Sequence, residues 1–215
     1  MTIGDQPNIV LITSDDQTKV ELKWMPQTRR LLGKAGLTFN NMIAPHPNCC
    51  PARAQILSGE YAHNNGVRTN SPPWGGHEGF DPTTALPLWL QAAGYRTGFI
   101  GKYMHGYDET DSIEPGWDQW KPIVGILSDY RSFLQYDNGQ LVQFGETDYY
   151  TDVVAQQVRR PGHRLQLDQR TLLPVVQLHR SALHLPGQQR GRLLRLRRPP
   201  RIGTPGSSAT SCCRR

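Results

Sequence analysis

The sequence predicts an α/β fold, a mostly parallel sheet with helices on both faces, and three observations carry that reading. Residues 8–13, Asn-Ile-Val-Leu-Ile-Thr, are a continuous apolar, β-branched run of the kind found in a strand buried inside a parallel sheet. Residues 26–35 have helical spacing and stop at Gly36. The helix-to-strand order then returns: residues 84–95 form an amphipathic helix with Pro87 early and Gly94 late, and residues 96–101 read as the strand after it. Between these units, residues 37–44 read as a short strand leading into a Pro-rich loop. Residues 51–58 read as a helix stopped by Gly59. Residues 70–82, rich in Gly and Pro, form a loop. Asn138-Gly139 between two apolar runs predicts a hairpin over 133–142. Thr151-Asp152 reads as the N-cap of a helix that starts at Val153.

A chain of 215 residues can bury a sizeable core as one domain. The net charge of +6 hides a division. Through Gln157 there are 11 Lys and Arg against 17 Asp and Glu; from Val158 onward there are 13 Arg, no Lys and a single acid, Asp168. All 18 aromatic residues lie before Val158. The four cysteines form two adjacent pairs, Cys49-Cys50 and Cys212-Cys213, with neither metal spacing nor a disulfide framework. No apolar run is long enough to span a membrane, and residues 1–6 do not resemble a secretory leader. The expectation is a cytoplasmic protein with no membrane partner, or an extracellular one if the gene start is misassigned.

Three strand and helix ends carry chemistry. The strand over 8–13 runs into Ser14-Asp15-Asp16-Gln17, which puts two carboxylates at its C-terminal end, where open α/β sheets place their sites. Paired acids there suit a hard divalent cation; they equally suit a solvated turn. Cys49 lies at or just before a helix N-terminus, where unpaired N–H groups and the helix dipole stabilise an anion. Pro51 fits the first helical turn, and Arg53 adds a fixed positive fork. The other reading of the thiols is a buried Cys pair. Lys102 ends the strand over 96–101 and either holds an anion or is simply solvated.

Cys49-x-Pro51-x-Arg53, followed by Ala54-x-x-Leu57-Ser58-Gly59, resembles the sulfatase signature. That resemblance implies an alkaline-phosphatase-like fold and hydrolysis of a sulfate ester on a small sulfated sugar or aryl substrate. It implies that a formylglycine-generating enzyme oxidises Cys49 to formylglycine, whose hydrate is the nucleophile. Asp15 and Asp16, with the group made from Cys49, would hold a divalent metal, Ca2+ or else Mg2+. Arg53 and Lys102 would offset the charge of the transition state, and Lys102 would contact the substrate sulfate. Tyr61-Ala62-His63-Asn64-Asn65-Gly66-Val67 resembles the segment that follows the signature, so His63 either lines the site or braces its loop. Gly101-Lys102-Tyr103-Met104-His105 places a histidine one residue later than the commonest family form. It is more similar to the branch of N-acetylglucosamine-6-sulfatases and heparan endosulfatases, with His105 as a candidate substrate contact. Asp137-Asn138-Gly139 sits in a hairpin and is read as a turn, not as metal ligands.

The resemblance covers residues 6–157, a partial catalytic domain. Residues 158–215 are Arg- and Pro-rich, have no aromatics, and match none of the family's later ligands. Arg without Lys is what a shifted reading frame in GC-rich DNA produces. The tail is therefore expected to be disordered, with short helices around 171–184 at most, and the chain to be inactive or nearly so. Two alternatives stay open: a phosphate or phosphonate ester hydrolase of the same superfamily, and a non-catalytic fragment with a basic, anion-binding tail. Nucleic acid is disfavoured as a partner because no aromatics interleave the basic residues.

Overall fold

The computed structural model describes residues 7–44, 46–159 and 171–179, the last of these as backbone. All fall within one of the chain's two units, Met1–Leu183. Six strands are present among them: β1 (Ile9–Asp15), β2 (Arg96–Gly101), β3 (Gln119–Val124), β4 (Phe133–Asp137), β5 (Gln140–Phe144) and β6 (Thr171–His179). They form one sheet in the order β1-β6-β2-β3-β4-β5. The first four in that order are parallel; β4 and β5 add an antiparallel hairpin at one edge. Asn138 and Gly139 have φ of 53° and 89°, the two positive values that a two-residue hairpin turn with matching twist requires.

Alternation along the central strands divides the core between two faces. On one face Phe99 of β2 and Trp120 of β3 pack with Cys50, Ala54 and Leu57 of α2 (Cys49–Ser58). On the other, Ile100 and Ile123 pack with Tyr150, Val153 and Val154 of α3 (Tyr150–Arg159). The period of two in the strands sends adjacent residues to opposite helices. Each fully buried Leu, Val or Phe side chain contributes about 1.5–3 kcal/mol of transfer free energy.

The structure departs from the sequence expectations in four places. First, β1 is parallel as expected but lies at the edge of the described sheet. Ile9, Val10 and Ile12 are 39%, 49% and 54% exposed, not buried. Second, residues 37–44 are irregular, because no strand among the described residues is there to pair with them. The helical stretch before them is α1 (Pro26–Thr28) and a π-type turn over Arg29–Gly33. Third, α3 begins at Tyr150, one residue ahead of the expected cap. Fourth, the chain does not leave the sheet at Gln157. Thr171–His179 is a strand, where short helices were the most expected, and it lies between β1 and β2. Its register slips against both neighbours around Pro174 and Val175, the place where a proline has no N–H to give to a ladder. The rest of the expected disorder falls on 160–170 and 180–215, outside the described residues.

Candidate active site

Cys49 is the first residue of α2, and Asn48 before it has extended backbone angles, φ −89° and ψ 148°. The helix ends at Gly59 in the left-handed conformation, φ 73°. Arg53 lies four residues after Cys49, one turn along the same face. It is 8% exposed. Its Nη1 donates to the Lys102 carbonyl at 2.8 Å, and its Nη2 is 3.6 Å from Asp15 Oδ2. Lys102, just past β2, donates from Nζ to the same Asp15 Oδ2 at 2.5 Å. Asp15, at the end of β1, is 6% exposed. Three elements thus deliver one carboxylate and two cations to a single buried point. Burial alone works to lower the Arg53 pKa, and the negative charge of Asp15 works against it.

The balance of that cluster is positive. A buried ion without a partner costs several kcal/mol, so the second cation favours a further anion beside it. Cys49 is the nearest candidate. Its thiol is held well below the ordinary range, first by a hydrogen bond from the Cys50 thiol and then by the charges of Lys102 and Arg53, against burial and Asp15. Cys50 moves the opposite way through the same contact and its burial. It is fully buried, and its Sγ accepts the His105 N–H at 2.9 Å. Of the two adjacent thiols, one faces an anion-stabilising corner and the other is a core side chain. A cavity between β1 and α2 opens beside them, lined by Asp15, Cys49 and Arg53 and floored by Phe99 and Tyr103.

Five of the seven residues singled out from the sequence come to this end of the sheet: Asp15, Asp16, Cys49, Arg53 and Lys102. Asp16 is exposed, with φ of 53°. His105 reaches the site through its backbone, whose N–H meets Cys50 and whose carbonyl accepts the His77 N–H at 2.8 Å. His63 is not brought there. It follows the C-terminal end of α2, about 15 Å of helix away from Cys49, is exposed, and stacks on Tyr61 at 5.8 Å. Asp137 ends β4 and Asn138 opens the hairpin turn; Asp137 Oδ1 accepts from Lys121 Nζ at 2.6 Å, and Asn138 Oδ1 accepts the Trp120 N–H.

Sequence reasoning missed Asn70. Its Oδ1 accepts the Cys50 N–H at 3.1 Å and lies 3.5 Å from Cys49 Sγ. It missed the position of His179 as well, which pairs in register with Asp15 at the end of β6. Asp15 and Asp16 supply oxygen donors of the kind a hard divalent cation takes, and Lys102 already brings positive charge to Asp15, so the donor chemistry fits a metal. Among the described residues these acids are not joined by a third carboxylate, His or Cys as a complete metal-binding group.

A family model described as Sulfatase matches residues 7–180, past Gln157, the expected end of the resemblance. The extracellular sulfatase SULF-1 homolog of Drosophila melanogaster is 41% identical over 161 residues, which is 70% of this chain and 14% of that protein. N-acetylglucosamine-6-sulfatase of Homo sapiens is 34% identical over 167 residues, 70% of this chain and 30% of that protein. The crystal structure of Ps i-CgsB in complex with k-i-k-neocarrahexaose superposes with a TM-score of 0.68 at 22% identity, covering 84% of this chain and 46% of that one. The chain therefore spans less than a third of these two curated relatives. Among the described residues no helix is long and apolar enough to cross a membrane. With the Cys49-x-Pro51-x-Arg53 signature at the head of α2 and a family match over most of its length, this chain belongs to the sulfatase family.

Proposed function

We propose that these residues are the nucleophile and anion-binding half of a site that hydrolyses a sulfate ester. The observation that carries the reading is the convergence of Cys49, Arg53 and Lys102 on one buried carboxylate, Asp15. Cys49 Sγ stands in for the oxygens of formylglycine, which a formylglycine-generating enzyme would make from Cys49 and which supplies a hydrated aldehyde as nucleophile. Arg53 and Lys102 share one counter-charge between them, which leaves positive charge for the sulfate oxygens and for the charge that grows as the ester S–O bond breaks. The N-terminal end of α2 adds its dipole on the same side. Asp15, Asp16 and the oxygen at position 49 would hold a divalent cation, Ca2+ or Mg2+; such an ion supplies polarisation of the sulfate.

The human relative's name gives the substrate class we extend to this chain, a sulfated amino sugar. The Drosophila relative's name favours work outside the cell. Because this chain spans only a fraction of either relative, we propose that alone it turns over sulfate esters slowly or not at all. The test is co-expression with a formylglycine-generating enzyme, mass spectrometry of the Cys49 peptide, and assay of paired aryl sulfate and aryl phosphate esters. Formylglycine at position 49 with no turnover, or with weak sulfate turnover lost in Cys49→Ala, supports the reading. Phosphate turnover in excess of sulfate turnover overturns the substrate class, and robust sulfate turnover overturns the weak-activity claim.

A further inference from the structure

α2 begins without a cap of its own. Asn48 occupies the N-cap position, yet its side chain makes no capping bond. Its carbonyl takes the first helical bond, from Ala52 N–H at 3.1 Å, and its own N–H goes to His46 Nδ1. Pro51, in the same turn, has no N–H to satisfy. The Cys50 N–H is one of the orphan donors that every helix start must place. It goes to Asn70 Oδ1, twenty residues later in the sequence. That oxygen also lies 3.5 Å from Cys49 Sγ.

The loop that carries Asn70 is held by its own backbone. The Arg68 and Thr69 N–H groups both donate to the Trp74 carbonyl, at 2.7 and 3.1 Å, and Gly76 N–H donates to the Thr69 carbonyl at 3.1 Å. Thr69 Oγ1 bonds the Ser71 carbonyl across the tip. A side chain at Gly75 would run into the Thr69 carbonyl, so the two arms of the loop close only with glycine there. Two residues on, His77 donates its N–H to the His105 carbonyl, and His105 N–H returns to Cys50 Sγ. Asn70 therefore stands at the end of a closed circuit that starts and finishes on the Cys49-Cys50 pair.

We propose that Asn70 is a positioning residue: its Oδ1 serves as the N-cap of α2 from a distant loop, and by the same atom it orients the reacting group at position 49. The capping half stands on geometry alone. The orienting half rests on the sulfatase reading, in which Oδ1 accepts an O–H of the matured residue; before maturation the same oxygen lies 3.5 Å from Cys49 Sγ. One acceptor shared by the helix start and the reacting group couples the aim of the nucleophile to the seating of the loop over residues 68–76.

The experiment uses the full chain with unmodified Cys49, so it is independent of turnover. Amide exchange at Cys50 reads the cap, and iodoacetamide alkylation of Cys49, mapped by peptide mass spectrometry, reads the shared atom. Asn70→Ala removes the acceptor, and Cys50 amide exchange rises by about fivefold, the effect of losing a typical cap. The Ala54 and Gln55 amides, one turn further in, keep their protection. Asn70→Asp keeps an acceptor, so Cys50 stays protected, but it adds a negative charge beside the thiol and slows alkylation by about fivefold or more. Unchanged Cys50 exchange in Asn70→Ala overturns the cap. Unchanged Cys49 alkylation in Asn70→Asp overturns the shared role. If Asn70→Ala does not fold, the two readouts on Asn70→Asp decide. Failure of the sulfatase reading shows in the turnover and maturation assays and leaves both of these outcomes standing.

Discussion

The helix that carries Cys49 and the segment over residues 19–43 are similarly rich in apolar residues and have opposite fates. In α2, Cys50, Ala54 and Leu57 are 0%, 0% and 5% exposed and pack against β2 and β3. In the other segment, Leu37, Phe39, Met42 and Ile43 are 77%, 70%, 79% and 82% exposed, and the backbone is a series of 3-10, π and irregular turns. The difference is not in local propensity. A helix satisfies its own backbone and needs only one buried stripe, whereas an apolar run can become a strand only when another strand pairs with it. α2 finds its stripe within the described residues. The run at 37–44 does not find its partner there.

That contrast predicts mutational effects of different size. Phe99 and Phe39 are the sharpest pair. Phe99→Ala empties a site that is 2% exposed and should cost about 3–5 kcal/mol in urea denaturation. Phe39→Ala, at 70% exposure, should stay within about 0.5 kcal/mol. Equal losses would mean that the segment over 19–43 is packed in solution. Next in size is the buried ion cluster. Asp15→Ala leaves Arg53 and Lys102 without their common carboxylate and should cost about 3 kcal/mol by the same measurement. A neutral outcome would show that the cluster opens to water.

Two smaller effects probe the loops. His77 sits between Glu114 Oε1 at 2.5 Å and Asp111 Oδ2 at 3.4 Å. Burial works to lower its pKa, but the Glu114 hydrogen bond and the charges of Glu114, Asp111 and Asp108 outweigh it, so the folded value is raised. A raised value means that the stabilisation is complete below the unfolded pKa and is lost as pH rises through the folded one. His77→Gln should flatten that decline in a stability-against-pH series, and an unchanged slope would remove His77 from it. At the hairpin, Gly139→Ala forces a side chain onto φ of 89° and should cost about 1 kcal/mol in thermal melts.

What was legible in the sequence was local. Acids at the end of an apolar run, a proline in the first turn of a helix, and a lysine after a strand each declare their place through neighbours a few residues away. The structure puts Asp15, Cys49, Arg53 and Lys102 together as those signals implied. Asn70 carried no such signal, because its partner is twenty residues off in the sequence. Of the two readings of His63, lining the site or bracing its loop, sequence alone favours neither, because nearness to the signature is not nearness in space: a ten-residue helix lies between. β6 was hidden by composition, a short apolar run broken by Pro174 inside an Arg-rich stretch, and only its pairing with β1 and β2 reveals it.

The central claim is that the head of α2 is a preformed anion corner acting on Cys49 and not on its neighbour. Alkylation of the full chain by iodoacetamide across a pH series, with each cysteine read by peptide mass spectrometry, tests it directly. Cys49 should react at pH values below those at which an ordinary thiol reacts, Cys50 should stay unmodified in the folded chain, and Lys102→Met should move the Cys49 profile upward. A Cys49 profile matching that of a free thiol, or one unmoved by Lys102→Met, would contradict the account.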